Sequence, residues 1–441
     1  MIESLKPGQL LITESRGETV VVEKLLGSGG QGEVYQVKWN SQDFALKWYY
    51  PHTATGGQLQ NLRNLVAQGV PDSRFLWPLD IIPPSVDAPS YGYLMPLRDG
   101  KYSGIIDLMA RRSEPTFRAL CIAGLQLADC YLRLHSKGLC YCDISFGNVF
   151  WNDKTGDVLI CDNDNVIENG KKPEIAGTIG FMAPELTVIP PTAIPSIETD
   201  KHSLAVLLFY MFMLHHPLKG SKEEQIKALD LPARVKIYGR EPLFIFHPTD
   251  ESNRPHPIHH QAVLNFWPIY PKVFKDIFTK AFTQGLEDPT GRVTENEWRT
   301  VLNRLIDSIY YCSNCSTENF YDQESLKDNG GAPPFCWFCK SPTKLPLRIR
   351  LNRSIVMLNH DSKLYSHHIE TGKEPSFLLP IAEITVNPRN PGQWGLKNLG
   401  LSKWTFSSMN GNIVDVDPGR SVALIDGIKI NFGSTVGEVR F

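Results

Sequence analysis

Residues 141–148 read Tyr141-Cys142-Asp143-Ile144-Ser145-Phe146-Gly147-Asn148, so an aspartate and an asparagine stand close together in one loop. Asp162 follows at the end of a short apolar strand predicted for residues 158–161. Phosphoryl transfer requires an aspartate that accepts the hydroxyl proton, and oxygen ligands for a Mg²⁺ ion that bridges the phosphates. Asp143, Asn148 and Asp162 fit these three roles. Each of them alone is better explained as a turn or cap residue, so the interpretation depends on the rest of the chain.

A glycine cluster lies upstream, between strands predicted for residues 19–26 and 44–49. Glycines in such a turn let the backbone approach phosphate oxygens closely, where a Cβ would block the approach. A plain hairpin turn is the alternative. A dinucleotide-binding turn is disfavoured, because the chain continues as a strand and not as a helix. The candidate nucleotide contacts of the cluster are Gly27, Ser28, Gly29, Gly30, Gly32 and Val34.

Lys47 ends the sequence Ala45-Leu46-Lys47 in the second of these strands. A lysine on a buried strand is unfavourable unless it meets an anion, and phosphate oxygens would provide one. A surface lysine on an edge strand is the alternative. The glycine cluster upstream favours the phosphate interpretation.

These sites, in this order, resemble the protein kinase superfamily, and further segments match it. Residues 91–97 resemble the hinge strand, residues 177–185 the end of the activation segment, and residues 200–205 the start of the buried central helix. The resemblance covers about residues 10–308. It implies an α+β, two-lobed protein kinase fold, with an N-lobe over about 10–95 and a C-lobe over about 98–308. It also implies an ion pair between Arg292 and Glu185. The ATP contacts that it implies beyond the glycine cluster are Ala45, Lys47, Met95 at the gatekeeper position, and Leu97.

The sequence departs from the kinase pattern at four places. Tyr141-Cys142-Asp143 replaces His-Arg-Asp, and Asp162-Asn163-Asp164 replaces Asp-Phe-Gly. Ser145 replaces the catalytic-loop lysine, an arrangement similar to that of RIO-type kinases. Residues 51–97 contain no glutamate, so the usual partner of the strand lysine is missing. Its place by spacing belongs to Asn61, with Gln58 and Gln60 as neighbours, and Asp164 is the alternative partner for Lys47.

Two functions therefore stay open. One is an active serine/threonine-protein kinase that uses ATP and Mg²⁺, with Asp143, Lys47, Asn148 and Asp162 as catalytic residues. The other is a pseudokinase scaffold that acts through its C-terminal modules. The retained catalytic residues favour the first, and the altered triplets favour the second. Thr178 is the only hydroxyl residue between Asp162 and Ala183, so we predict activity that does not require activation-loop phosphorylation.

Two Cys-x₂-Cys pairs follow the kinase-like region. Thiolates bind Zn²⁺ tetrahedrally, and four protein ligands leave no open position, so the metal would be structural. Four free cysteines or two disulfides are the alternatives, and the spacing favours zinc. Residues 309–343 resemble a zinc ribbon. The predicted Zn²⁺ ligands are Cys312, Cys315, Cys336 and Cys339.

Short apolar segments punctuated by Gly, Pro and Asn predict an all-β module over residues 344–441. Segments 364–369, 394–399 and 426–433 resemble a divergent FHA-like β-sandwich. FHA domains bind phosphothreonine through an Arg, a Ser and an Asn. The Arg has no match here and the Asn-Gly-Thr signature is absent, so docking alone is favoured over phosphopeptide capture.

The order of kinase, zinc ribbon and FHA-like module resembles bacterial signalling kinases that accompany a PP2C-type phosphatase and a von Willebrand A-type protein of the tellurium-resistance group. This resemblance implies both as partners, beside a protein substrate.

Composition bounds the remaining possibilities. The formal net charge of −2 over 441 residues gives no nucleic-acid footprint and no polybasic membrane patch. The apolar run at residues 204–214 is shorter than the ~20 residues that a bilayer requires, so it predicts a buried helix. Residues 1–6 lack the apolar core of a signal peptide, and scattered cysteines favour a reducing cytoplasm.

Overall fold

The computed structural model describes residues 4–85, 90–172, 177–352, 354–407 and 412–441. In it the chain divides into two compact units. The first consists of Met1–Pro115, Ile122–Leu264 and Phe278–Asn296, and the second of Thr116–Cys121, Asn265–Ile277 and Glu297–Phe441. The three-domain division expected from the sequence, with boundaries near residues 308 and 343, stays a prediction.

The first unit begins with a six-stranded sheet. Its strands are β1 (Leu10–Ile12), β2 (Thr19–Ser28), β3 (Gly32–Trp39), β4 (Gln42–Tyr49), β5 (Asp80–Ile82) and β6 (Gly92–Pro96). They lie in the order β1-β2-β3-β4-β6-β5, and every neighbouring pair is antiparallel. β2 and β4 contain the two strands predicted from the sequence, so the turn between β2 and β3 carries the glycine cluster.

Alternation of side chains along the strands gives this sheet two apolar faces. In β3 the side chains of Tyr35, Val37 and Trp39 are buried, while those between them are partly exposed. These three belong to the core on one face of the sheet. Helix α1 (Gly56–Gln68) contributes Leu62 to a second apolar cluster, which also contains residues of β4 and β6.

Helices dominate the chain from residue 106 to residue 307. They are α2 (Ile106–Met109), α3 (Phe117–Ser136), α4 (Pro184–Thr187), α5 (Ile197–Met213), α6 (Ser221–Glu224), α7 (Leu231–Val235), α8 (Gln261–Phe266), α9 (Lys272–Ala281), α10 (Gln284–Glu287) and α11 (Glu295–Asp307). A π-helical turn at Lys236–Arg240 follows α7. Short strands accompany them: β7 (Ser103–Gly104), β8 (Leu139–Cys140), β9 (Val149–Trp151), β10 (Val158–Ile160) and β11 (Ile167–Glu168).

The start of α3 is capped by Thr116 and not by Ser113, the other hydroxyl residue just before the helix. The helix begins at Phe117, and the hydroxyl of Thr116 accepts the backbone N–H of Ala119 at 3.1 Å. Ser113 instead donates to Asp153 at 2.7 Å. Thr116 directly precedes the first helical residue, so its hydroxyl, and not that of Ser113, reaches the unpaired amides of the first turn.

Helix α5 is the central buried helix of the first unit. A capping box between Ser196 and Thr199 starts it, and Leu214 ends it in the left-handed conformation, with φ of 51°. Its residues from Leu204 to Phe209 are all buried. This confirms the buried helix predicted for the apolar run. Within the part of the chain that the structure describes, no helix is long and apolar enough to cross a membrane.

The second unit carries the four cysteines and the β-sheets. β12 (Ile309–Tyr311) and β13 (Glu318–Phe320) form a hairpin, which α12 (Gln323–Asp328) follows. The later elements are β14 (Arg348–Leu351), β15 (Ser354–Met357), β16 (Lys363–Tyr365), α13 (Ser366–Ile369), β17 (Pro380–Asn387), β18 (Asn390–Asn398), β19 (Trp404–Ser407), β20 (Ile413–Val416), β21 (Ser421–Ala423), β22 (Lys429–Asn431) and β23 (Val436–Arg440).

These strands form one six-stranded sheet, in the order β15-β14-β23-β22-β19-β20, and one four-stranded sheet, in the order β16-β17-β18-β21. Residues of both sheets share one apolar core, which includes Ile349, Leu396 and Trp404. Buried side chains of the two sheets in a common core are typical of a β-sandwich. The all-β module predicted after residue 343 is therefore present, interrupted by one short helix.

Candidate active site and metal centre

The glycine turn joins β2 to β3, with Gly29 N–H donating to the carbonyl of Gly32 at 2.8 Å. Added Cβ atoms at Gly27, Gly29 and Gly30 would meet nothing within 4 Å, so the space over the turn is open. Gly32 differs, because a Cβ there would lie 2.1 Å from the carbonyl oxygen of Trp48 in β4. Gly32 is therefore required by the close approach of two strands, whereas the other three leave the backbone accessible.

An apolar cluster contains four of the residues predicted to contact ATP. Ala45 and Met95 are buried in it and face each other across β4 and β6. Val34 and Leu97 are partly buried against the same cluster, as is Leu159 of β10. Apolar side chains of this kind suit contact with a flat base ring.

Lys47 is buried and forms its closest ion pair with Asp164. Its Nζ lies 2.8 Å from Asp164 Oδ2 and 3.6 Å from Asp162 Oδ1. It also donates to the side-chain oxygen of Gln31, in the glycine turn, at 2.9 Å. Burial alone would lower the pKa of Lys47, but the charges of Asp164 and Asp162 outweigh it, so the pKa is raised and the lysine stays protonated.

Asp164 is fully buried and accepts hydrogen bonds from tyrosines as well as from the lysine. The hydroxyl of Tyr49 donates to its Oδ2, and that of Tyr93 to its Oδ1 at 3.4 Å. Tyr93 lies directly opposite Lys47 in the β4–β6 pairing. Removing one partner from such a buried charge pair typically costs about 3–5 kcal/mol, so the pair fixes the lysine firmly.

Two amide side chains of helix α1 contact the backbone carbonyl of Asp164, and the helix contains no acidic side chain that could pair with Lys47. Gln58 donates to the carbonyl of Asp164 at 2.8 Å, and Asn61 donates to the same oxygen at 3.1 Å. Asn61 also donates to the carbonyl of Val166 at 2.9 Å. Of the two partners considered for Lys47, the structure thus has Asp164, and the interpretation of Asn61 as the tether is wrong. The side-chain amide of Asn61 donates to two backbone carbonyls, and Lys47 pairs with the carboxylate of Asp164 instead.

Asp143 is held by residues on both sides of it. Thr178 donates to its Oδ1 through the backbone N–H at 2.9 Å and through the hydroxyl at 2.7 Å. Asn148 donates through Nδ2 to Asp143 Oδ2 at 3.1 Å and to its carbonyl at 2.8 Å. Burial raises the pKa of Asp143, and the charge of Asp162 adds to the rise, against the lowering effect of these hydrogen bonds. The structure therefore brings Asp143 and Asn148 into contact, with Asp162 close by.

Asp162 has the left-handed backbone conformation, with φ of 51° and ψ of 45°. A 3₁₀ turn over residues 163–165 follows it, so Asp162 and Asp164 belong to one tight segment. The Asp162 side chain keeps 45% of its surface exposed, whereas that of Asp164 has none. The two carboxylates are therefore suited to different tasks: Asp164 to hold the lysine, and Asp162 to bind a ligand from solution.

The segment that ends the predicted activation loop is fixed by an arginine. Arg292 binds both oxygens of Glu185, each at 2.8 Å, and donates to the carbonyl of Gly285 at 3.0 Å. Its side chain is 2% exposed. This confirms the predicted pair and ties α4 to the segment just before α11.

Much of the helical region of the chain matches a model of a known protein family. Residues 123–297 match the model described as "Protein kinase domain". The match spans less than half of the chain. It includes Asp143, Asn148, Asp162, Glu185 and Arg292, while the glycine turn, Lys47 and Met95 precede it. Among curated proteins, no match is found.

Outside the residues that match this family model, the four predicted zinc ligands converge. Their Sγ atoms all lie within 4.8 Å of one another, with 3.7 Å between Cys312 and Cys339 and 3.7 Å between Cys315 and Cys336. A tetrahedral ion with Zn–S bonds of about 2.3 Å requires sulfur atoms about 3.8 Å apart. None of the nine cysteines, all of which lie among the described residues, forms a disulfide, so the alternative of two disulfides is wrong. The donor set and its spacing fit a structural Zn²⁺ ion.

The two Cys-x₂-Cys loops repeat one backbone geometry. Cys312 N–H donates to Thr317 at 2.9 Å, and Cys336 N–H donates to Ser341 at 2.9 Å. The residue after each second cysteine has positive φ, 59° at Ser316 and 58° at Lys340. Two equivalent loops facing one centre are typical of a metal site that closes by pairing two such turns.

Sequence reasoning missed three residues around Lys47. Tyr49 stands two positions after the lysine in β4, so strand alternation alone would have placed it on the same face. Tyr93 and Gln31 reach the site from another strand and from the glycine turn. The strand pairing places Tyr93 opposite Lys47, and the glycine turn brings Gln31 to it, but no local sequence pattern connects either residue with the lysine.

Proposed function

We propose that this chain is an ATP- and Mg²⁺-dependent protein kinase that transfers the γ-phosphate to serine or threonine hydroxyls. The observation that carries the proposal is the arrangement of Lys47, Asp162 and Asp164 in one charge cluster, with Asp143 and Asn148 hydrogen-bonded nearby. Serine or threonine as acceptor rests on the family resemblance.

The residues present fit a Mg²⁺ ion by the chemistry of their donors. Asn148 uses its Nδ2 on Asp143, which leaves its carbonyl oxygen as a ligand, and Asp162 offers an exposed carboxylate. Mg²⁺ prefers oxygen ligands of these kinds and would neutralise charge on the bridged phosphates.

The protein groups would act in three ways. Lys47, held by Asp164, would donate hydrogen bonds to phosphate oxygens near the glycine turn, where Gln31 now accepts one of them. Asp143 would accept the proton of the acceptor hydroxyl, oriented by Thr178 and Asn148. The open backbone of the turn would allow the phosphates to approach.

Incubation with γ-labelled ATP and Mg²⁺, with generic acceptor proteins, tests the proposal. We expect wild type to label acceptors or itself on Ser or Thr, and Asp143→Asn to lose transfer while binding a non-hydrolysable ATP analogue as wild type does. Asp328→Asn, which changes an exposed aspartate on α12, is the matched control. Labelled tyrosine alone would contradict the acceptor class.

The second candidate is the pseudokinase scaffold. One observation favours it: the protonated Lys47 already donates to Asp164 and Gln31, so only one of its three N–H groups is left for a nucleotide unless Gln31 is displaced. Wild-type protein that binds the analogue but transfers no label, under conditions where a known kinase does, would decide for this candidate.

The C-terminal modules lead to a further part of the proposal. We propose that residues 309–343 form a zinc ribbon, that the β-sandwich is FHA-like and serves docking, and that a PP2C-type phosphatase and a von Willebrand A-type protein are the partners. The support is the convergent four-cysteine cluster and the two-sheet core. Binding of each candidate partner to the full chain, measured by calorimetry, tests it, and absence of binding would contradict it.

A further inference from the structure

A buried histidine joins two carboxylates beneath the catalytic loop. His135 of α3 contacts Glu295 of α11 through Nδ1 at 2.6 Å, and Asp200 of α5 through Nε2 at 3.1 Å. None of the three residues is more than 8% exposed. The contact therefore links three helices without access to solvent.

Asp200 continues this chain of contacts to the loop that carries Asp143. It accepts the backbone N–H of Tyr141 at 2.5 Å and that of Cys142 at 3.0 Å. These two residues directly precede Asp143, and Cys142 has a positive φ of 70°. A non-glycine residue in that conformation persists only where its surroundings hold it, and here the Asp200 carboxylate does so.

The charges explain why the acidic pair tolerates burial. Burial alone would lower the pKa of His135, but the hydrogen bonds to Asp200 and Glu295 raise it to about 9, so the imidazole is a cation at neutral pH. The same contact lowers the pKa of Glu295, against the opposing effect of burial, and Lys201 adds to the lowering. The ring of Tyr131 stacks on His135, with centroids 6.3 Å apart.

We propose that Glu295 is a positioning residue for the catalytic loop, and that it acts through His135 on Asp200. The proposal deepens the proposed phosphoryl transfer and rests on it for its effect on rate. Glu295 opens the first turn of α11, where an exposed acid would already interact favourably with the helix dipole. Burial is not needed for that interaction, so we attribute the buried position of Glu295 to its contact with His135, which in turn contacts Asp200 below the loop that carries Asp143.

Glu295→Gln tests the proposal, because it keeps the shape and removes the charge. We expect the amides of Tyr141 and Cys142 to exchange hydrogen about tenfold faster, as for loss of a charged hydrogen bond. Amides of the N-terminal sheet should be unchanged. In transfer assays kcat should fall by about the same factor, with KM for ATP nearly unchanged. Glu287→Gln, an exposed change on α10, is the control and should behave as wild type.

The pH profile gives an independent readout. A raised pKa means that the His135 interaction is complete below its ordinary pKa near 6.5 and is lost as the pH rises through about 9. Wild type should therefore lose activity, and protection at residues 141 and 142, on the alkaline side. Glu295→Gln should shift this loss to lower pH. Should the variant fail to fold, the wild-type alkaline titration of amide protection supplies the test.

Unchanged amide protection at both residues, corrected for the intrinsic exchange rate at each pH, in Glu295→Gln or in wild type through pH 9 would overturn the proposal whatever the transfer assay shows. Faster exchange with no transfer by wild type would leave Glu295 as a positioning residue of the loop. In that case it is the proposed kinase activity that fails.

Discussion

Thr178 binds a single oxygen of Asp143 twice, through its backbone N–H at 2.9 Å and through its hydroxyl at 2.7 Å. The hydroxyl is therefore a structural element of the site. A phosphate on this oxygen would remove the donor and place negative charge beside the carboxylate. By its resemblance to kinases, the sequence has Cys142 in place of the arginine that pairs with a loop phosphate, so we expect a phosphate here to lack that partner as well.

We predict that activity does not require phosphorylation of Thr178, and that its hydroxyl supports catalysis. Phosphatase-treated enzyme, checked by mass spectrometry, should keep its rate. Thr178→Val should lower kcat about tenfold, because one hydrogen bond to the charged carboxylate is lost. Thr178→Ser keeps the hydroxyl and should restore most of the rate. Activity that disappears on dephosphorylation and returns on rephosphorylation would contradict this prediction.

The Lys47–Asp164 pair predicts a rescue experiment. Asp164→Asn should weaken nucleotide binding by tenfold or more, on the order expected for a broken buried pair. Adding Gln58→Glu should recover part of this loss. The side-chain amide of Gln58 lies 3.4 Å from the Tyr49 hydroxyl, which donates to the same Asp164 oxygen as Lys47 does. Gln60→Glu puts the same charge on the exposed side of α1 and should rescue nothing. Equal rescue by both would show a general charge effect instead.

Asp162 should be needed for metal-dependent binding. We expect Asp162→Asn to bind nucleotide without Mg²⁺ about as well as wild type, and to gain little when Mg²⁺ is added, because a carboxylate ligand is lost. Calorimetry with a non-hydrolysable analogue, with and without the metal, measures both. A variant that binds Mg-nucleotide as tightly as wild type would show that Asp162 does not hold the metal.

The cysteine cluster should bind one Zn²⁺ per chain. Elemental analysis of purified protein in reducing buffer should show this ratio, and Cys336→Ser should abolish it. Cys161→Ser alters a cysteine outside the cluster and should leave the zinc content unchanged. Because structural zinc contributes on the order of 10–16 kcal/mol in zinc-finger peptides, removal should unfold the region around β12 and β13. A metal-free protein with this region folded would contradict the assignment.

Asp143, Asn148, Asp162 and the four cysteines could be predicted as candidate site residues from their spacing in the sequence. Ligands on tight turns must stand at fixed intervals along the chain. The buried α5 followed from its apolar run alone. The partner of Lys47 followed only as an alternative to Asn61, since Asp164 is 117 residues away and helix α1 offered nearer candidates. Such long-range contacts depend on strand pairing and packing, which local patterns do not encode.

For the same reason, the sequence predicts only part of the structure of the C-terminal module. Alternation and turn residues predict its strands, but the order of strands in each sheet joins segments far apart in sequence, as in the pairing of β14 with β23. The buried Glu295 was missed for a related reason. A polar residue in a first helical turn ordinarily faces solvent, and only its packing against His135 shows otherwise.

Gly32 also bears on how sequences that share this sheet could diverge. A methyl group at this position would collide with the backbone of Trp48 whether or not a nucleotide is bound. Selection for a correctly folded sheet would thus preserve this glycine in a descendant that had stopped using ATP, while Gly27, Gly29 and Gly30 would be free to drift. Loss of those three glycines, with Gly32 retained, would be the mark of a relative that kept the fold and abandoned the nucleotide.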